Sequence, residues 1–212
     1  MPLFRTFQVD DLKVGIWKVL ETVDQLRDRL VPFSMYEPQF QSLKSPRRQL
    51  EWLAVRVLLQ EMCGQMKAID YLPSGKPFLR DKSMCISFSH TKDYVAVALH
   101  PSQEVGVDIE QTGDRVKKVM PRFIRADERW MLGRPEEMYA LLLHWSAKET
   151  LFKLLQKSEV DFLEHLQILP FPWASQGSFV GREYRSSSPQ EFLIHYDTHP
   201  DFVLTFALKK DV

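Results

Sequence analysis

The chain has 212 residues, of which 28 are lysine or arginine and 28 are aspartate or glutamate, so its formal net charge is zero at pH 7. A balanced charge creates no overall field that favours nucleic acid or an anionic membrane, and we expect neither as a partner. Hydrophobic residues make up 44% of the chain. This composition and length are typical of a globular protein with one large domain or two small ones.

Cysteine content and the N-terminal sequence bear on the cellular compartment. The two cysteines, Cys63 and Cys85, lack metal-ligand spacing, which predicts reduced thiols inside a cell. The first residues lack the apolar core of a signal peptide, and no run approaches the ~20 apolar residues of a membrane span. We therefore expect a cytoplasmic protein.

Residues 1–103 form the predicted N-terminal half. Its predicted strands are residues 4–9, 14–19, 85–88 and 94–99. A short helix is predicted over residues 24–30. Ser45 and Pro46 are typical of a helix start, apolar residues follow at helical spacing, and Gly64 is a typical helix end. Residues 72–77 and 89–93 are predicted loops.

Residues 104–212 form the predicted C-terminal half, which follows a boundary at residues 101–104. Its predicted strands are residues 105–109, 178–184, 191–196 and 202–208. Residues 122–124 and 126–132 are predicted as short helical pieces. A long helix is predicted from Glu136 to about Gln156, with its apolar face toward a core.

Carboxylates and lysines recur at informative spacings in this half. Asp108 and Glu110 alternate with apolar residues, so both face one side of a strand with Cα atoms about 6.5 Å apart. Glu149 and Lys153 are four residues apart and share a helix face. Carboxylates suit Mg²⁺, which also binds substrate phosphates, and a lysine provides a point charge for a phosphate oxygen. The pattern predicts chemistry on a diphosphate.

Each of these features also has an ordinary interpretation. Alternating acids on a strand are usually its solvent face, and an i,i+4 Glu–Lys pair is most often a weak surface pair. Trp145 and Phe152 are expected in the core rather than in a cofactor site, together with Leu151 and Leu155. The functional interpretation therefore depends on the motifs occurring together and in order.

The ordered motifs resemble the signature of the 4′-phosphopantetheinyl transferases, in particular the long, monomeric Sfp type. Residues 106–110 read Gly-Val-Asp-Ile-Glu, and residues 145–153 read Trp-Ser-Ala-Lys-Glu-Thr-Leu-Phe-Lys. Upstream, residues 87–90 contain the family's Ser-His, residues 75–77 its Gly-Lys-Pro, and residues 47–56 its arginine-bearing helix. The resemblance rests on these five matches in order.

The resemblance implies an α+β fold with two similar subdomains related by a pseudo-twofold axis. Each subdomain would pack a small sheet on a long helix. The N-terminal subdomain, residues 1–103, would contact the 3′-phosphate and nucleotide of coenzyme A. The C-terminal subdomain, residues 104–212, would carry the Mg²⁺-binding and catalytic motifs. The protein is expected to be a monomer.

The implied reaction moves the 4′-phosphopantetheine arm of coenzyme A to a serine of an apo acyl or peptidyl carrier protein and releases 3′,5′-ADP. This is the holo-[acyl-carrier-protein] synthase type of activity. Asp108, Glu110 and Glu149 would hold Mg²⁺. Glu149 is the first candidate to accept the serine proton, with Asp108 as the alternative, and Lys153 would neutralise charge on the α-phosphate.

The remaining implied contacts are with coenzyme A. Arg47 or its neighbour Arg48 would bind the 3′-phosphate, and the register between them stays open. The other implied coenzyme contacts are Gly75, Lys76, Pro77, Ser89, His90, Lys148 and Lys153. Without the resemblance His90 would be an ordinary loop histidine. The resemblance places Glu128 near the metal, and a surface position is the alternative.

Two other functions remain compatible with the same residues. One is a Mg²⁺-dependent phosphohydrolase acting on coenzyme A or a nucleotide diphosphate. The other is a catalytically silent protein that binds coenzyme A. The sequence leaves open which carrier and pathway the protein would serve.

Overall fold

The computed structural model of the protein describes residues 3–155 and 159–209. The chain divides into two compact units, Met1–Ser102 and Gln103–Val212. Within the described ranges, no helix is both long and apolar enough to span a membrane. The structure mixes helices and sheets, as predicted.

The first unit contains a four-stranded antiparallel sheet in the order β1-β2-β6-β5 and a separate hairpin, β3-β4. Its strands are β1 (Leu3–Val9), β2 (Leu12–Lys18), β3 (Ile69–Tyr71), β4 (Pro77–Leu79), β5 (Cys85–Thr91) and β6 (Tyr94–His100). Its helices are α1 (Val23–Asp28), α2 (Glu37–Gln41) and α3 (Pro46–Cys63), with a 3₁₀ turn at Phe33–Met35.

Helix α3 packs on the sheet of this unit and provides much of its core. The predicted ends of this helix are confirmed: Pro46 is its first residue, and Gly64 follows it with a left-handed φ of 69°. The predicted loop at residues 89–93 is shorter than expected, because β5 continues to Thr91. Ser89 and His90 are therefore strand residues.

The second unit contains a five-stranded antiparallel sheet in the order β7-β11-β10-β9-β8. Its strands are β7 (Val105–Gln111), β8 (Leu166–Ile168), β9 (Gln176–Glu183), β10 (Gln190–Thr198) and β11 (Phe202–Leu208). Its helices are α4 (Arg115–Val119) and α5 (Glu137–Leu155), with 3₁₀ turns at Met120–Arg122 and Ala126–Met131. The short helical pieces predicted in this region are thus mostly 3₁₀ turns.

Helix α5 packs across β7 and β11. The predicted end of this helix, Gln156, lies outside the described residues. Leu151 and Leu155 are buried as predicted, but Phe152 is 41% exposed. The prediction of a core position for Phe152 is wrong, because its side chain leaves the face that meets the sheet and contacts the ring of Phe162 instead.

Both units place a strand before the long helix and pair that strand with the last strand of the unit. In the first unit β2 pairs with β6, and in the second β7 pairs with β11. This common order agrees with two similar subdomains. A pseudo-twofold axis relating them stays a prediction.

The contact between β7 and α5 requires a glycine. A Cβ atom added to Gly106 would lie 2.5 Å from the carbonyl oxygen of Thr150 and 2.9 Å from the side chain of Leu154. The obstructing oxygen belongs to the helix backbone and cannot rotate away. Gly106 therefore fixes how closely the helix approaches the strand.

We predict that Gly106→Ala lowers the free energy of unfolding by about 2–3 kcal/mol, because the added methyl group overpacks this contact. Gly113→Ala is the matched control, since a Cβ atom at Gly113 would meet nothing within 4 Å. Urea unfolding of both variants measures the difference. Equal stabilities would show that the helix can shift without cost.

Candidate functional site

The side chains of α5 that face β7 form a polar contact with the sheet. Ser146 Oγ and Thr150 Oγ1 lie 2.8 and 2.7 Å from Thr205 Oγ1 on β11. Ser146 Oγ also donates to the carbonyl oxygen of Asp108 at 3.3 Å. These hydrogen bonds fix the rotation of α5 about its own axis, so the residues one turn away have defined positions against β7.

Lys153 is held against the first acidic residue of the strand. Its Nζ donates to the carbonyl oxygen of Val107 at 2.8 Å and to Asp108 Oδ1 at 2.9 Å. The Asp108 side chain is 5% exposed, whereas that of Lys153 is 27% exposed. The structure therefore brings these two predicted site residues together at the edge of solvent.

Glu110 is held by Trp145, which lies on α5 two turns before Lys153. Trp145 Nε1 donates to Glu110 Oε1 at 2.7 Å. Burial, followed by the charge of Asp108, raises the pKa of Glu110 to about 7; Glu149 adds to this effect, while the Trp145 hydrogen bond and Lys153 oppose it. The charges of Asp108 and Glu149 thus disfavour the ionisation of Glu110.

Glu149 shows the same electrostatic environment. Burial raises its pKa, the charge of Asp108 raises it further, and Lys153 partly offsets both. One lysine therefore faces three carboxylates whose negative charges repel. The site has a deficit of positive charge that a cation would relieve.

The fit of these residues to a metal ion rests on their chemistry. In the part of the chain that is described, no three or more His, Cys, Asp or Glu side chains are gathered in an arrangement that could hold a metal. Mg²⁺, however, usually takes only one or two carboxylates and fills its remaining positions with water and substrate phosphates. The carboxylates of Asp108, Glu110 and Glu149 are the ligand type that this ion takes.

Lys148 does not lie in this group, and its predicted contact with the coenzyme is contradicted. Its side chain is fully buried. Its Nζ donates to Phe123 O at 2.6 Å, to Glu128 Oε2 at 2.8 Å and to Phe162 O at 3.1 Å. All three donors of the ammonium group are used inside the second unit, which leaves none for a ligand.

Glu128 is the partner of Lys148, and it is not a surface residue. It is fully buried. Its Oε1 accepts from the backbone N–H of Ile168 at 2.6 Å, and its Oε2 accepts from that of Arg125 at 2.9 Å. The Lys148–Glu128 pair joins α5 to the segment before it and to β8.

The first unit contains a cavity of about 450 Å³. Its lining combines cations, aromatic rings and one carboxylate: Gln39, Ser42, Leu43, Arg48, Glu51, Trp52, Val55, Arg56, Tyr71, Phe88 and His90. Among the sequence-predicted coenzyme contacts, Arg48 and His90 line the cavity. Ser89 is a buried neighbour of His90 on β5.

Arg47 does not line the cavity, which bears on the choice between Arg47 and Arg48 that the sequence left open. Its side chain is 68% exposed, and its Nε donates to Glu51 Oε1 at 2.9 Å. The other oxygen of Glu51 lies 3.1 Å from His90 Nε2. Arg47 thus reaches the cavity only through Glu51, whereas Arg48 lines it directly.

The Gly-Lys-Pro segment is a tight turn between β3 and β4. Gly75 has a φ of 85°, and its N–H donates to Leu72 O at 2.8 Å. The Leu72 N–H donates to Lys76 O at 2.9 Å, and Pro77 begins β4. The cavity lining includes Tyr71, just before this turn, but none of the three motif residues.

Comparison with known proteins identifies the family of the second unit. Residues 104–207 match the model of the 4′-phosphopantetheinyl transferase superfamily. These residues belong to that superfamily. They contain β7, α5 and every residue of the carboxylate–lysine group described above.

Individual relatives carry the same family name. The chain is 28% identical over 199 residues to a Haemophilus influenzae protein that is named provisionally as a 4′-phosphopantetheinyl transferase, with 85% of each chain covered. It is 34% identical over 108 residues to the 4′-phosphopantetheinyl transferase AcpT of Escherichia coli K12, covering 48% of this chain and about half, 50%, of AcpT. AcpT of Salmonella typhimurium is 30% identical over 112 residues, 50% of this chain and 58% of the relative.

The superfamily motifs did not indicate every residue that shapes the two sites. Trp145 packs against the core as expected, and its indole N–H in addition donates to Glu110. Glu51 and Arg56 were not expected to line a cavity. A signal for Arg56 does exist, because it lies at helical spacing among Leu53 and Val57 and so on the buried face of α3.

We predict that Lys148→Met lowers the free energy of unfolding by about 3–5 kcal/mol, because it leaves the carboxylate of Glu128 buried without its cation. The double variant Lys148→Met/Glu128→Gln should recover part of that loss. Lys117→Met is the control, since its pair with Asp114 is exposed and contributes little. If Lys148→Met left stability unchanged but weakened coenzyme A binding, the result would instead support the prediction that Lys148 contacts the coenzyme.

A second prediction concerns pH. The pKa of Glu110 is raised from 4.5 to about 7. A raised pKa means that the stability this group contributes is present below about 4.5 and is lost as pH rises through 7. Without divalent cations, Glu110→Gln should therefore stabilise the protein at pH 8 and have a much smaller effect at pH 5.

The glutamine retains the oxygen that accepts from Trp145, so packing is preserved. Urea unfolding in the presence of a chelator at both pH values measures the effect. The exposed Glu164→Gln is the control. An effect independent of pH would mean that the Glu110 charge is not destabilising in the folded protein.

Proposed function

We propose that this protein transfers the 4′-phosphopantetheine arm of coenzyme A to a serine of an acyl or peptidyl carrier protein and releases 3′,5′-ADP. The observation that carries this proposal is the set of three mutually repelling carboxylates beside Lys153, on motif residues within the segment that matches the superfamily. The names of the relatives support the same general reaction.

The residues that would hold Mg²⁺ are Asp108, Glu110 and Glu149. The ion would supply positive charge to the diphosphate and orient it. Trp145 keeps Glu110 in place through its hydrogen bond, and Lys153 does the same for Asp108. The protein's part in metal binding is thus to fix two carboxylates on one strand face before the ligand arrives.

Glu149 is proposed to accept the proton of the attacking serine. The serine Oγ forms a bond to the β-phosphorus, while the bond from that phosphorus to the oxygen bridging to the α-phosphate breaks. A carboxylate whose pKa is raised by burial is a stronger base than an exposed one, which suits proton transfer near neutral pH. Asp108 remains the alternative, but its Oδ1 already accepts a hydrogen bond from Lys153.

Lys153 is proposed to stabilise the leaving group. Its ammonium group has three donors, of which Val107 O and Asp108 Oδ1 take two. The third can reach an α-phosphate oxygen as negative charge develops there. Because that charge grows during bond breaking, the interaction should favour the transition state over bound coenzyme A.

The first unit is proposed to bind the 3′-phosphoadenosine end of coenzyme A. Arg48 and His90 line its cavity and would contact the 3′-phosphate, with aromatic rings available for the base. The Sfp type, with two similar halves in a monomer, is part of this proposal. The presence of a sheet and a long helix in each unit supports it.

The test is incubation with coenzyme A, Mg²⁺ and a panel of apo acyl and peptidyl carrier proteins, with carrier mass as the measurement. We expect a gain of one phosphopantetheine arm. Asp108→Asn should reduce the rate at least about 100-fold, because a carboxylate that would hold Mg²⁺ against the diphosphate is lost. Asp114→Asn, whose carboxylate is 79% exposed in the same unit, should leave the rate unchanged.

Other outcomes identify the alternatives. Cleavage of coenzyme A without carrier modification would indicate a phosphohydrolase. Binding of coenzyme A without any reaction across the panel would indicate a silent binding protein. Full activity of Asp108→Asn would show that the proposed metal site is incorrect.

A further inference from the structure

The ring of Trp145 contacts two phenylalanine rings that come from outside its own helix. The Phe123 ring lies edge-on to it, with centroids 5.2 Å apart and an interplanar angle of 66°. The Phe162 ring is tilted by 47° against it, with centroids 5.6 Å apart. Phe123 is fully buried, whereas Phe162 is partly buried and lies in the connection from α5 to β8. The orientation of the indole therefore depends on segments on both sides of α5 in the sequence.

The backbones of both phenylalanines are tied to α5 by Lys148. Its Nζ donates to the carbonyl oxygen of Phe123 at 2.6 Å and to that of Phe162 at 3.1 Å. Trp145 and Lys148 are three residues apart, so their side chains are neighbours on one face of the helix. On this face the lysine holds the two phenylalanine backbones, while the tryptophan packs against their rings. The buried lysine of the motif therefore takes part in building the surroundings of the indole.

The orientation of the indole matters because it determines where Glu110 is held. The hydrogen bond from Trp145 Nε1 to Glu110 Oε1, at 2.7 Å, is directional and persists only while the indole keeps its place. Without this bond the flexible glutamate side chain can adopt other rotamers, and the negative charge of Asp108 repels it from its present one. A contact that fixes the indole therefore also fixes the carboxylate of Glu110 against that repulsion.

We propose that Phe162 is a positioning residue that fixes the indole of Trp145 and, through it, the carboxylate of Glu110. Lys148 anchors Phe162 in that place. The use of Glu110 as a ligand of Mg²⁺ rests on the proposed function. The dependence of the Trp145–Glu110 hydrogen bond on Phe162 rests only on the ring contact and on the hydrogen bonds that hold its members.

The experiment follows the indole N–H groups of the protein labelled with ¹⁵N-tryptophan, without added metal. The chain has five tryptophans, and Trp145→Phe assigns the resonance of Trp145. Hydrogen exchange of each N–H reports how often its hydrogen bond opens.

Three substitutions separate the ring of Phe162 from general packing. Phe162→Leu removes the ring and keeps an apolar side chain, whereas Phe162→Tyr keeps the ring. Phe152→Leu is the matched control, because it makes the same change at an exposed ring that contacts Phe162, with centroids 6.2 Å apart.

We expect Phe162→Leu to raise the exchange rate of the Trp145 N–H about tenfold, the factor by which losing a typical hydrogen bond to a charged group changes an equilibrium. The other four indole groups should keep their wild-type rates, and so should Trp145 in Phe162→Tyr and in Phe152→Leu. Unchanged exchange at Trp145 would overturn the proposal. So would an equal rise in all five indole groups, which indicates general destabilisation, or an equal rise in Phe152→Leu. If Phe162→Leu does not fold, Phe162→Met is judged by the same criteria.

A titration with Mg²⁺ alone tests whether the effect reaches the proposed metal site through the indole. Phe162→Leu should weaken Mg²⁺ binding severalfold in the wild-type background. In the Trp145→Phe background it should have no further effect, because the N–H that couples the two residues is absent there. Equal weakening in both backgrounds would show that Phe162 does not act through Trp145 and would overturn the proposal.

The carrier-mass assay on wild type separates this inference from the proposed function. Exchange at Trp145 that depends on Phe162, in a protein that modifies no carrier, would reject the transferase and keep the role of Phe162. Carrier modification with no dependence of the Trp145 N–H on Phe162 would do the reverse.

Discussion

The close contact between Gly106 on β7 and the backbone of Thr150 on α5 determines the arrangement of the second unit's site. Because no side chain separates the two elements, the hydroxyl groups of α5 reach Thr205 across the sheet. That contact sets both the distance of the helix from the sheet and its rotation about its own axis. On one side of this contact along α5, Trp145 donates a hydrogen bond to Glu110. On the other side, Lys153 donates one to Asp108. The predicted catalytic geometry is a consequence of backbone packing.

Lys148 and Lys153 lie five residues apart on α5, and they point to different sides of the helix and have different surroundings. Five residues turn the helix by about 140° beyond one full turn. Lys148 is fully buried, forms an ion pair with Glu128 and donates hydrogen bonds to two carbonyl oxygens. Lys153 is 27% exposed and faces the crowded carboxylates. The same residue type therefore serves stability in one position and is available for a phosphate in the other.

Much of this arrangement could be predicted, and the failures have physical causes. The alternation along β7 placed Asp108 and Glu110 on one face, and Ser45-Pro46 and Gly64 marked both ends of α3, because these signals are local. Lys148 was misassigned because adjacency to Glu149 in sequence does not give a shared helix face. The three-residue strands β3, β4 and β8 leave no periodicity to detect. The burial of a charge such as Arg56 depends on tertiary packing around it.

The two units leave charges of opposite sign unbalanced. In the second, Asp108, Glu110 and Glu149 share one lysine, and burial followed by the charge of Asp108 raises the pKa of both glutamates. In the first, Arg56 is buried without a carboxylate, and the one acid of the cavity already serves Arg47 and His90. Each arrangement costs folding free energy in the absence of a ligand. In the proposed complex, a magnesium-bound diphosphate would relieve the first and a phosphate monoester the second, and coenzyme A contains both kinds of phosphate group. Binding of the proposed substrate would therefore offset the folding free energy that each unit loses through its unbalanced charges.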